Sequence, residues 1–166
     1  MLTVLIETKN SEEGLARTLA SLVSGAIEGV VRDVIVCDCG SADQTHRVAE
    51  HAGCHLVAAG LAAAIRQAKS EWLLILEPGA RLAEGWIEPV LIHVERQSMP
   101  ARFTPSRAAR ASFLAHVFSR KRALAHGLLI AKGQAASLAL KARGTEEMAR
   151  GLSAKRLTAE IITAAR

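Results

Sequence analysis

The chain has 166 residues, enough for one core and one domain; half are apolar and only 3% aromatic, so that core must rest on Ala, Leu, Val and Ile. Three cysteines without zinc-like spacing argue against a disulfide framework, and no apolar run reaches the roughly 18–20 residues that cross a bilayer. The first residues enter a strand-like run with no basic region leading into a signal core, so a cytoplasmic chain is expected.

The first element, Thr3-Val4-Leu5-Ile6-Glu7-Thr8-Lys9-Asn10, predicts a strand over 2–7 that ends in a polar cluster. A helix over 11–27 follows, with Asn10 or Ser11 as its N-cap. The second strand, over 33–38, runs into Asp38-Cys39-Gly40-Ser41-Ala42-Asp43-Gln44-Thr45, a second polar cluster, and a helix over 42–52. A short strand at 54–58 and an Ala-rich helix at 61–69 lead to a strand from Trp72 to Leu76 that stops at the turn dipeptide Pro78-Gly79. A helix over 84–97 comes next. Residues 100–112, with Pro100 and Pro105, read as a loop or an excursion from the core. Leu128-Leu129-Ile130 predicts a further strand and 133–142 a short helix. Strands alternating with helices are the βαβ rhythm of a parallel sheet, whose ligands bind at the carboxyl ends of the strands. Both polar clusters fall there.

The spacing of these clusters is specific. The pattern V-L-I-E-T-K-N-S-E-E-x-L-x-x-T-L-x-S-L, followed by D-V-I-V-C-D-C-G-S-A-D-x-T, resembles the opening of the family 2 glycosyltransferases. The likeness is good over residues 2–90 and faint beyond. It implies a GT-A-like α/β fold, a Rossmann-type, mostly parallel sheet flanked by helices and truncated relative to the family. It also implies transfer of a sugar from a nucleotide-diphosphate donor of the UDP type. By this resemblance residues 1–97 form the nucleotide-binding half and 98–166 the acceptor-side half. Asp38 would accept a hydrogen bond from a uracil-type base, with Thr8 and Asn10 beside the same pocket. The bland alternative is an Asp that caps the turn after its strand.

Several positions depart from the family. Glu7 stands where proline is usual. The metal-binding Asp-x-Asp reads Glu77-Pro78-Gly79, which leaves Glu77 as the one candidate ligand for the magnesium or manganese ion that the resemblance implies. The family's Arg-Asn pair aligns with Leu61-Ala62. The Glu-Asp pair that supplies the general base falls at Gly144-Thr145, or, with a shift of two residues, at Glu146-Glu147. No Q-x-x-R-W motif is present. Two readings stay open: a metal-independent transferase that uses basic residues such as Arg66, Lys69 or those of the second half to stabilise the leaving diphosphate, or a non-catalytic binding or membrane-surface module on the same scaffold. Nucleotide binding is expected to depend little on divalent metal.

Charge divides the chain sharply. Residues 1–91 carry 7 Lys and Arg against 12 Asp and Glu, whereas residues 92–166 carry 14 against 4. No acidic residue lies between Arg96 and Arg143. Arg120, Lys121 and Arg122, close to Phe103, Phe113 and Phe118, are read as a surface for an anionic membrane or a lipid-linked acceptor of the cell envelope, at the inner membrane face. The alternatives are a solvated basic face and phenylalanines that close the core. Nucleic acid is not expected, because no stacking aromatics are interleaved with the cations. Nor is a dinucleotide-binding domain: Glu12 and Glu13 in the first helical turn would repel a phosphate, and no G-x-G-x-x-G follows the first strand. Cys37 and Cys39 are expected as thiols. His46, His51, His55 and Cys54 do not converge on a metal by spacing, and Ser41 lacks a nucleophile elbow.

Overall fold

The computed structural model describes residues 1–106 and 122–164. Its elements, in chain order, are β1 (Leu2–Thr8), α1 (Glu12–Ile27), β2 (Val31–Asp38), α2 (Thr45–His51), β3 (His55–Val57), α3 (Leu61–Gln67) and β4 (Trp72–Leu76). There follow β5 (Arg81–Leu82), α4 (Ile87–Arg96), β6 (Ala101–Pro105), β7 (Leu128–Ala131), α5 (Lys132–Ala139), α6 (Thr145–Ala149) and β8 (Lys155–Ile162). All eight strands join one sheet in the order β3-β2-β1-β4-β7-β6-β8-β5. The β3-β2-β1-β4 half is parallel, β7 inserts antiparallel between β4 and β6, and β8 lies parallel to β6.

The central strands read as unbroken apolar runs because both of their faces are covered. Alternate residues divide between two cores. Leu2, Val4 and Ile6 of β1, with Val36, Leu74 and Leu76, pack against Leu15 and Leu22 of α1 and against Trp86 and Val90. On the other face Leu5, Ile35, Leu73 and Ile75 meet Ile65 of α3, Ala135 of α5 and Met148 of α6. A single sheet sandwiched between helices therefore fixes the strand ends, and with them the site.

Three expectations are corrected. Residues 101–105 form a strand inside the sheet and not a loop, and Phe103 is fully buried there, as the reading of the phenylalanines as core residues has it. Residues 155–162, given no element in the sequence reading, form the long strand β8, whose Leu157, Ala159 and Ile161 alternate inward. Ser11 is the N-cap residue of α1, but its side chain makes no capping bond. The neighbouring loop caps that end instead: the Ser11 N–H donates to Thr45 Oγ1 at 2.9 Å and the Glu12 N–H to Asp43 Oδ2 at 3.2 Å. Phe113 and Phe118, together with Arg120 and Lys121, lie outside the described residues.

Candidate functional site at the carboxyl edge of the sheet

Parallel pairing of β1 with β2 puts Thr8 directly opposite Asp38 at the last rung of the ladder. The Thr8 hydroxyl donates to Asp38 Oδ1 at 3.2 Å, and the Cys39 N–H donates to the Thr8 carbonyl at 2.8 Å. Asn10 adopts a left-handed backbone with φ 50°, a conformation Asn tolerates. Its side-chain oxygen accepts the Ala42 N–H at 2.7 Å, while its own N–H donates to Ser41 Oγ at 2.9 Å. The two polar clusters thus fold into one stapled unit, and Thr8, Asn10 and Asp38 are brought together.

Asp38 also fulfils the turn-capping alternative. Its Oδ2 accepts the N–H groups of Gly40 and Ser41, and its Oδ1 accepts the hydroxyls of Ser41 and Thr8. Burial pushes this carboxyl upward, but the four bonds outweigh it and leave it below the usual carboxylate range. Asp38 is held as an anion.

Glu7, flagged in the sequence only as a departure, links the two halves of the chain. Its Oε2 accepts both the N–H and the hydroxyl of Thr145, at 2.6 and 2.7 Å. A Cβ at Gly144 would lie 2.8 Å from Glu7 Oε1, so a side chain there would displace the carboxylate from Thr145. Beside this contact opens a cleft of about 670 Å³ lined by Glu7, Lys141, Arg143, Glu146, Glu147 and Arg150. The general-base candidates separate here. Both oxygens of Glu146 accept backbone N–H groups, those of Ala123 and Leu124, at 2.7 and 3.0 Å. Glu147 is exposed and bonds through one oxygen, to the Arg143 N–H.

Glu77 follows the last residue of β4. Its side chain is 13% exposed, and its Oε2 lies 3.1 Å from Nη1 of Arg122. That contact is one of charge: Oε2 is buried and receives no aligned hydrogen bond. Burial raises the Glu77 carboxyl above its usual range, Arg122 opposes the rise and Glu146 adds to it. Arg122, expected with Arg120 and Lys121 to face a membrane or acidic partner, is thus also paired with a carboxylate of its own chain. It also donates to the Ala164 carbonyl at 3.2 Å. Arg102 fastens the same segment by bonds to the carbonyls of Ala123 and Ala149. Neither Arg122 nor Arg102 carried a sequence signal for this role, since their partners are distant in the chain.

The residues at this strand end do not fit a divalent cation. Gly79 stands at φ 93°, and a Cβ there would lie 3.1 Å from that of Ala164, so the second aspartate of an Asp-x-Asp would strain the backbone and press on Ala164. Glu77 faces a guanidinium, and no group of three metal-ligating side chains occurs among the described residues. The other phosphate-binding candidates are elsewhere: Lys69 contacts His55 at the amino edge of the sheet, and Arg66 sits in the last turn of α3. Burial pushes the Cys37 thiol up to about 11 and raises that of Cys39, so neither is an activated nucleophile.

No protein-family model and no curated protein matches the chain. Solved structures do. Glucosyl-3-phosphoglycerate synthase from Mycobacterium tuberculosis, in complex with Mn2+, UDP and phosphoglyceric acid, superposes with a TM-score of 0.58 at 13% identity, over 81% of this chain and 56% of that one. TarS from S. aureus gives a TM-score of 0.63 at 15% identity, over 99% of this chain and 35% of that one. The fold is GT-A-like. At such identities the likeness shows architecture alone, and the chain spans little more than half the length of the synthase. Another structure of the synthase holds UDP-glucose with Mn2+ and phosphoglyceric acid.

Proposed function

We propose that this chain is a glycosyltransferase domain that binds the nucleotide diphosphate of an activated sugar at the carboxyl edge of its sheet. The observation that carries the proposal is the register pairing of Thr8 with Asp38, stapled by Asn10, at the strand ends where open α/β sheets hold ligands. The GT-A-like fold supports it, because the synthase that shares the fold has been crystallised with UDP and UDP-glucose. In this reading a base N–H reaches Asp38 by displacing the Thr8 hydroxyl, whose 3.2 Å bond is the longest of the four. Strand ends of the first half hold the donor, and the cleft lined by Glu7, Lys141, Arg143, Glu147 and Arg150 takes a polar acceptor. Glu147, with one oxygen unengaged among the described residues, is a better general base than Glu146, whose two oxygens are occupied.

Calorimetric titration with uridine, guanosine and adenosine diphosphates tests the proposal. The uridine nucleotide is expected to bind, and Asp38→Ala is expected to weaken it by about tenfold or more, the effect of losing a hydrogen bond to a charged group. Absence of binding by all three at millimolar ligand would end the donor-site reading.

A further inference from the structure

A sugar leaving a nucleotide diphosphate leaves negative charge behind, and a protein that assists must place positive charge where that charge develops. Glu77 follows β4 next to the end of β1, since Ile6 and Leu76 are paired across the two strands. The charge that Glu77 holds there is the Arg122 guanidinium, 3.1 Å away. Arg122 is fixed as a surface arginine is not. The two residues after it are clamped by both oxygens of Glu146, Arg102 bonds the Ala123 carbonyl, and one guanidinium nitrogen donates to the Ala164 carbonyl. Its side chain is nevertheless 36% exposed. Among the described residues it donates no other hydrogen bond, and the Glu77 contact is not an aligned one. A planar guanidinium with unused N–H donors, pre-oriented and permanently charged, is suited to bidentate recognition of phosphate oxygens.

We propose that Arg122, positioned by Glu77 and by the Glu146 clamp, binds the diphosphate of the donor and stands where related chemistry would place a divalent cation. The inference rests on the donor reading above and assigns one residue to the phosphates. Glu77 is then a positioning residue: it neutralises and aims the guanidinium when no nucleotide is bound. The phosphate oxygens become the partner that Glu77, with its unaligned contact, does not fully provide.

The test compares uridine, UMP and UDP as ligands of the whole chain, in chelator and then with added Mn2+. In chelator, UDP is expected to bind more tightly than uridine. Arg122→Gln should lower UDP affinity by about tenfold or more and leave uridine affinity unchanged. Because Arg122→Gln leaves a buried carboxylate without its cation, the double variant Arg122→Gln with Glu77→Gln removes both charges together; it should show the same selective loss while melting cooperatively. Arg122→Lys, which keeps charge but not the planar fork, should fall between. Unchanged UDP affinity in the folded double variant overturns the inference, as does a large gain with Mn2+ that Glu77→Gln abolishes. Failure of all three ligands to bind the wild type ends the donor reading and this inference with it. Binding of UDP and uridine with equal affinity refutes only the role of Arg122.

Discussion

Asp38 shows how one side chain can serve both local order and chemistry. It accepts two backbone N–H groups and two hydroxyls, so its removal loosens the Gly40–Ser41 turn as well as any ligand contact. Bonds to a charged acceptor contribute about 1.5–3 kcal/mol each, although a partly exposed group keeps only part of that. The carboxyl sits below its ordinary range in the folded chain. Its stabilising effect is therefore fully present above the unfolded value, near pH 4, and is lost as the pH falls through the lower folded value. Asp38→Asn should accordingly lower the denaturation midpoint by a constant amount from pH 7 to about 4.5, and the gap from the wild type should narrow at lower pH. A gap that widens on acidification would contradict the assignment. The Asp was legible in the sequence because a carboxylate at a strand end beside Gly-Ser is a local pattern. Its saturation was not, because the fourth bond, from the Thr8 hydroxyl, depends on how β1 meets β2.

At the scale of elements, the parallel half of the sheet was readable because its signals are local: apolar runs that end in turn residues and alternate with helical stretches. Of the other half only β7 was readable, through Leu128-Leu129-Ile130. β6 begins after Pro100 and ends at Pro105, and proline argues against an interior strand. Here it is tolerated at the margins of a five-residue strand. β8 carried an inward alternation at Leu157, Ala159 and Ile161 that a period-two reading would have found. The link between halves could not be seen at all, since Glu7 and Thr145 are 138 residues apart. That link makes a clean prediction. Glu7→Ala should destabilise the fold by about 2 kcal/mol through loss of the Thr145 bonds. Gly144→Ala should be costly in the wild type, where the Glu7 carboxylate is held against it. In the Glu7→Ala background it should cost little, because residue 144 is extended and accepts any side chain. Additive effects in that double-mutant cycle would mean that the two residues are not in contact.

Over the whole molecule the charge imbalance follows the fold. β1, β2 and β3 belong to the acidic half of the sequence, and β6, β7 and β8 to the basic half. Arg96, Lys155 and Arg156, with Glu88, line a second cleft of about 460 Å³ that shares no residue with the first. No helix among the described residues is long and apolar enough to cross a membrane. Each Lys or Arg near an anionic bilayer contributes on the order of 1 kcal/mol, within a screening length of about 8 Å at physiological salt. We predict salt-sensitive binding to phosphatidylserine vesicles and none to phosphatidylcholine vesicles. Arg120→Gln with Lys121→Gln should weaken it, and Arg122 is left intact because its loss would also strip Glu77 of its cation. Equal binding to both vesicles, or none at low salt, would leave a solvated basic face.

The backbone at Gly79 limits how this chain can change. A single substitution to Asp would meet a left-handed conformation costing about 1–2 kcal/mol and a neighbour, Ala164, already in contact distance. The new carboxylate would also arrive beside a strand end whose Glu77 is already taken by Arg122. Acquiring an Asp-x-Asp would therefore require concerted change in the β4 turn, the segment after β8 and the Arg122 segment, and each step alone is unfavourable. Three regions distant in sequence are in this way coupled, and descendants of this chain are expected to diversify by altering the guanidinium's surroundings sooner than by acquiring a metal there.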